Sequence, residues 1–169
     1  ILICGFHPVI SQDLSTLYEK SHAAIVSVEV IDASTEDGRY GSGFFISKDG
    51  IIVTNYHIIR AAKSIVVKDT KGDSWTSVWI GPYNEARDLA TLKVSASISS
   101  YLSVPRNPSF KVGQRVIAIG NPRGLESTLS EGIISGVRKI SDEFDEVIQT
   151  TAPISPGSSG GPLLNLKGE

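Results

Sequence analysis

Pro156-Gly157-Ser158-Ser159-Gly160-Gly161-Pro162 sets a serine in a tight run of glycine, serine and proline. Glycines let a chain bend sharply and bring backbone N–H groups together, and a serine at such a bend projects its hydroxyl outward. Acyl transfer needs this arrangement: a hydroxyl to attack a carbonyl, and converging N–H donors to hold the oxyanion that forms. Alone, a glycine–serine turn is more often only a turn. The reading depends on whether the serine has partners elsewhere in the chain.

A serine hydroxyl is a weak nucleophile until a base takes its proton, and that base must be held by a third group. The chain has three histidines, His7, His22 and His57. His57 lies in Thr54-Asn55-Tyr56-His57, directly after the apolar run Ile51-Ile52-Val53. Asp88 opens Asp88-Leu89-Ala90-Thr91-Leu92-Lys93-Val94, whose alternating apolar residues predict a half-buried strand with the carboxylate at its start. Singly, His57 reads as a structural histidine and Asp88 as a turn residue. With Ser159 they form the series His, Asp, Ser.

That order separates the candidate folds. Gly157-Ser158-Ser159-Gly160-Gly161 fits the G-x-S-x-G elbow of α/β-hydrolases, but that fold places its histidine after the serine and none follows His57. The subtilisin order needs Asp before His. Asp32 could fill that place, but the chain shows none of the long helices that a parallel sheet requires. The chymotrypsin order, His before Asp before Ser, fits.

With 169 residues the chain can bury a sizeable core, as one domain or two compact halves. Its net charge of −2 gives no electrostatic footprint for nucleic acid or an anionic membrane. One cysteine, Cys4, excludes an internal disulfide and a Cys-rich zinc site, and the scattered histidines offer no metal-binding pair. No metal and no cofactor are expected. Asp142-Glu143-Phe144-Asp145-Glu146 reads as a solvated loop. Ile1-Leu2-Ile3-Cys4-Gly5-Phe6 reads equally as the tail of a signal peptide or anchor and as a buried strand. No stretch reaches the roughly 18 apolar residues that span a bilayer.

Short strands separated by turn signals dominate the rest. Expected strands are 25–31, 43–47, 51–54, 64–68, 74–80 and 88–94, with turns at Lys48-Asp49-Gly50, Lys71-Gly72-Asp73 and Gly81-Pro82. Residues 95–112, rich in serine and carrying Pro105 and Pro108, read as a surface connection. Strands resume at 115–119, 127–130, 131–137 and 147–151, with a sharp loop over Gly120-Asn121-Pro122-Arg123-Gly124. Pro162 to Leu166 reads as a strand entering a turn at Lys167-Gly168, after which a hairpin partner is expected. Helix is expected over Ser11 to His22, capped at Ser11 or Asp13, and for one turn over Ile58 to Lys63. The domain reading is an N-terminal segment 1–24, a first β half 25–94, a connection 95–112 and a second β half 113–169. His57 and Asp88 belong to the first half and Ser159 to the second, so a shared site would lie between the halves.

From about Ile25 onward the chain resembles a trypsin-fold serine protease, and more closely the HtrA/Deg family. The resemblance rests on Gly41-Ser42-Gly43-Phe44, Thr54-Asn55-Tyr56-His57, Asp88-Leu89-Ala90, Gly120-Asn121-Pro122 and Gln149-Thr150 through Ser159-Gly160-Gly161-Pro162. It implies an all-β fold of two antiparallel β-barrels with the active site in the cleft between them, the second barrel here incomplete at its C-terminal end. It implies a serine endopeptidase that hydrolyses protein or peptide substrates. His57 would be the general base, Asp88 its orienting carboxylate and Ser159 the nucleophile, with the N–H groups of Gly157 and Ser159 as oxyanion hole. Pro153 and Ile154 fall in the specificity pocket, whose apolar character implies a small or medium apolar residue before the scissile bond. The resemblance further implies a trimer and a periplasmic, secreted or organellar setting, and family members often carry a downstream PDZ module.

Two positions depart from the family pattern. Ser158 stands where many members have Asn and chymotrypsin-type zymogens have Asp, so Ile1 is not expected to act as an activation terminus. Thr151 stands where Asp is common. Two other functions remain open on the same scaffold: a peptide-binding or chaperone-like module without turnover, and an esterase.

Overall fold

The computed structural model describes residues 13–33, 37–121, 127–139 and 147–169. The expectations for Ile1 to Phe6, for a cap at Ser11, for the acidic stretch 142–146 and for most of the loop after Asn121 lie outside these residues. The chain opens on helix α1, Leu14–His22, where the Asp13 carboxylate accepts the Ser15 N–H at 3.0 Å and satisfies one of the free donors of the first turn. Leu17 is buried, with Leu14 and Tyr18 beside it, and this apolar face is the one that packs.

Seven strands follow: β1 Ile25–Asp32, β2 Gly38–Phe45, β3 Ile51–Thr54, β4 Ala62–Asp69, β5 Ser74–Trp75, β6 Val78–Asn84 and β7 Leu89–Val94. They form one antiparallel sheet in the order β5-β4-β1-β2-β3-β7-β6, curled so that β4 and β6 also meet. Val26, Val28 and Val30 alternate along β1 and point inward with Phe45, Ile52 and Leu92. Gly50, at φ +86°, closes the β2–β3 turn where Asp-Gly was expected to do so. Helix α2, Tyr56–Ile59, is a single turn starting two residues earlier than its expected position.

The second sheet has the order β10-β9-β8-β11, from β8 Arg115–Gly120, β9 Thr128–Arg138, β10 Val147–Thr150 and β11 Leu163–Asn165. Among the described residues its four strands do not close into a barrel. Between the sheets lies a second core in which Leu17, Ala24 and Ile25 meet Leu102, Ile117, Ile119 and Leu164. The long connection is held down as it crosses, Ile98 N–H donating to Lys48 and Leu102 N–H to Phe45. Among the described residues no helix is long and apolar enough to cross a membrane.

Three expectations are corrected. The strand expected at 74–80 is two, β5 and β6, broken at Thr76-Ser77. Gly81-Pro82 is not a turn but a bulge inside β6: Ile80 pairs with Leu92 and Tyr83 with Ala90, leaving two residues opposite Thr91. Pro82 has no N–H to donate, and β6 is an edge strand, where that loss is tolerated. The strands expected at 127–130 and 131–137 are one, β9, which pairs with β8 up to Ile133 and with β10 from Ile134. Gly132 marks this exchange of partners, because a Cβ there would lie 2.2 Å from the Ala152 nitrogen.

Candidate active site

Asp88 sits at the end of the β6–β7 loop, its N–H donating to Glu85 at 3.0 Å. Its backbone is left-handed, φ +50°, a conformation that Asp tolerates better than most residues. The fold brings it against the segment that carries His57. Asp88 Oδ1 accepts the His57 backbone N–H at 2.7 Å, and Oδ2 meets His57 Nδ1 at 2.6 Å. The Asp88 carbonyl accepts Tyr56 N–H at 3.2 Å and Asn55 Nδ2 at 2.8 Å. An ionised carboxylate only accepts, so this contact puts the imidazole proton on Nδ1 and leaves the Nε2 lone pair free. Both side chains remain about half exposed, and Tyr56 stacks on Tyr83 beside them.

Ser159 lies in a turn wedged between the sheets. Ser158 N–H donates to Ser155 and Gly161 N–H to Ser158, while Gly157 and Gly160 take φ values of +94° and +86°. At Gly160 a Cβ would fall 2.1 Å from the Ser42 carbonyl and 2.5 Å from Thr54 Oγ1. At Gly161 it would fall 2.3 Å from the Ile119 carbonyl. The glycines are therefore the condition for seating the turn, against β2 and β3 on one side and β8 on the other. Gly160 also approaches the nitrogen of Asn55, two residues before His57.

His57 and Asp88 are thus in direct contact, and the Ser159 turn is packed on the strand end that leads to His57. Among the described residues no hydrogen bond joins the His57 ring to Ser159 Oγ, and the N–H groups of Gly157 and Ser159 donate to no protein acceptor. Pro153 and Ile154 are exposed on the approach to the turn, the Pro153 carbonyl accepting Ser130 Oγ at 2.6 Å. Concave regions of about 330 and 760 Å³ lie elsewhere, beside Trp75 and along β8 and β11, and neither includes His57, Asp88 or Ser159.

Sequence reasoning passed over the residues that seat the turn. Ser42 N–H donates to the Ser159 carbonyl and Ser42 Oγ to the Gly157 carbonyl, both at 2.7 Å. Thr54 Oγ1 in turn donates to the Ser42 carbonyl. All lie in motifs quoted for the resemblance, but the contact between motifs is not written in any one of them.

The family model described as trypsin-like peptidase domain matches residues 41–169. The chain belongs to that family.

Within the family the resemblance is to the HtrA/Deg serine proteases. The chain is 44% identical over 131 residues to a probable periplasmic serine endoprotease, DegP-like, of Hahella chejuensis, covering 76% of this chain and 28% of that protein. It is 43% identical over 136 residues to the chloroplastic Protease Do-like 1 of Arabidopsis thaliana, covering 76% and 31%. To the mitochondrial serine protease HTRA2 of Bos taurus it is 32% identical over 168 residues, covering 92% and 36%. Among solved structures, the HtrA-type protease AlgW with tripeptide aligns at TM-score 0.82 and 27% identity, covering 92% of this chain and 52% of that one. Deg5 aligns at 0.79 and 31%, covering 96% and 83%. The chain spans between 28% and 36% of the length of the three curated relatives named here.

Proposed function

We propose that this chain is the catalytic domain of a serine endopeptidase with Ser159 as nucleophile, His57 as general base and Asp88 as its orienting carboxylate. Ser159 Oγ attacks the carbonyl carbon of the scissile bond while its proton passes to His57 Nε2. The carbonyl oxygen becomes an oxyanion, held by the N–H groups of Gly157 and Ser159. The imidazolium then gives its proton to the departing amine, leaving an acyl-enzyme, and water repeats the sequence to free Ser159. Asp88 stays ionised throughout and stabilises the imidazolium. The observation that carries the reading is the two-point grip of Asp88 on His57, at 2.7 and 2.6 Å, which fixes both the ring and its tautomer. The uncommitted N–H groups of Gly157 and Ser159 support the oxyanion role.

Pro153 and Ile154 give the approach to Ser159 an apolar character with no carboxylate among them, which favours a small or medium apolar residue before the scissile bond over Lys or Arg. The relatives are named as proteases of the periplasm, chloroplast and mitochondrion, so an extracytoplasmic or organellar compartment is proposed with protein substrates. Assembly as a trimer follows from the resemblance.

A second reading, peptide binding without turnover, draws on the missing hydrogen bond between the His57 ring and Ser159 Oγ. Such bonds are often long in unliganded enzymes and tighten with substrate, so the first reading is preferred. Turnover of unfolded casein separates them. The protein should cleave it and Ser159→Ala should not, beyond a small residual. Binding by both with cleavage by neither would establish the second reading.

A further inference from the structure

Ser42 lies in β2, fully buried, where the first sheet meets the serine turn. Each of its polar atoms is committed. Its N–H donates to the Ser159 carbonyl at 2.7 Å, and its Oγ donates to the Gly157 carbonyl at 2.7 Å. The same Oγ accepts the Asn121 N–H at 2.8 Å, and the Ser42 carbonyl accepts Thr54 Oγ1 at 2.7 Å. The two carbonyls it holds belong to the two residues whose N–H groups would bind the oxyanion.

Peptide units are planar, so the turn can change shape only by rotating whole planes about φ and ψ. Gly157 is the softest point of the turn. It has no Cβ, it sits at φ +94°, and glycine crosses between positive and negative φ at little cost. With the Gly157 carbonyl anchored, the plane that follows it is fixed. Without the anchor, the planes around Gly157 can turn and offer a carbonyl where an N–H is needed.

We infer that the Ser42 hydroxyl is a positioning residue that holds the Gly157–Ser159 turn with both N–H groups directed at the oxyanion. It touches neither substrate nor the reacting atoms. This inference rests on the reading of Ser159 as nucleophile. It is distinct from a general packing role because a neighbour lacks the feature: Ser27 faces Ser42 in the β1–β2 register, is equally buried, and its Oγ has no hydrogen-bond partner.

The test compares the full chain with Ser42→Ala, Ser42→Cys and Ser27→Ala. It measures turnover of labelled unfolded casein, the rate of inactivation by a fluorophosphonate, and the thermal unfolding midpoint. Deleting an oxyanion donor outright costs on the order of 10²- to 10³-fold. Loosening one should lower kcat and the inactivation rate by about tenfold or more in Ser42→Ala, with KM and the acid limb of the pH profile unmoved. Ser27→Ala should match the wild type. Cysteine keeps a donor and acceptor at the position, a weaker and bulkier one, and should fall between the two. If Ser42→Ala does not fold, Ser42→Cys decides. Wild-type rates in the folded serine variant, or a loss confined to KM, would overturn the inference and leave the nucleophile assignment intact. A wild-type protein inert to the fluorophosphonate would instead overturn that assignment, and this inference with it.

Discussion

Asp88 holds a backbone conformation that most residues avoid, and it does so where four hydrogen bonds converge on the segment carrying His57. Strain of this kind persists only where the surroundings impose it, and it gathers at functional sites. Asn tolerates the same φ and keeps the side-chain shape, so Asp88→Asn should leave the fold standing. Its amide would offer a donor to Nδ1, however, and push the ring to the other tautomer with its proton on Nε2. The expected loss in kcat is on the order of 10⁴, the cost of the equivalent exchange in the serine-protease template, with an unchanged unfolding midpoint. A variant keeping more than a tenth of the rate would contradict the role given to Asp88. Such residues were legible because each sits in its own short motif and their order excludes other folds. Ser42 was not, because its hydroxyl reaches Gly157 across 115 positions and Asn121 across 79. One sequence does not show which distant motifs touch.

The β2–β3 turn was legible in detail because Asp-Gly carries its conformation locally. It also carries an electrostatic lock. Lys93 on β7 donates to the Asp49 carboxylate at 2.8 Å, and this bond, with one from Ser47, draws the carboxyl from its ordinary 3.8 down to about 2. A carboxyl depressed in the folded state stabilises the fold above its ordinary value, and that contribution is lost as pH falls through about 2. Asp49→Asn should therefore lower the thermal midpoint at neutral pH by a small amount, as expected of an exposed pair, and the difference should shrink between pH 4 and 2. A difference that persists unchanged at pH 2 would show that charge is not its source. Elements set by tertiary context were harder to read. In β6 the residues Gly81 and Pro82 carry a turn signature, yet Thr91 Oγ1 bonds the Pro82 carbonyl at 2.8 Å and keeps the strand paired through a bulge. In β9 two strands were expected where one passes from β8, paired up to Ile133, to β10, paired from Ile134.

Among the described residues two cores stand out, one inside the first sheet and one between α1, the start of β1 and the second sheet. Ile25 belongs to the second core while Val26 beside it belongs to the first, so a single strand ties the halves together. On the other face of β1 only Ile25 and Ser27 are buried, Ile25 in the core shared with the second sheet, while Ile31 is exposed. The same junction brings the Ser159 turn, carried by the second half, onto β2 and β3, which lead to His57 in the first. The central claim is that the halves assemble a working nucleophile, and intact-mass analysis after fluorophosphonate treatment tests it without any choice of substrate. The protein should gain one adduct, mapped to Ser159, and Ser159→Ala should gain none. A folded protein that gains no adduct, or gains it equally in Ser159→Ala, would contradict the account.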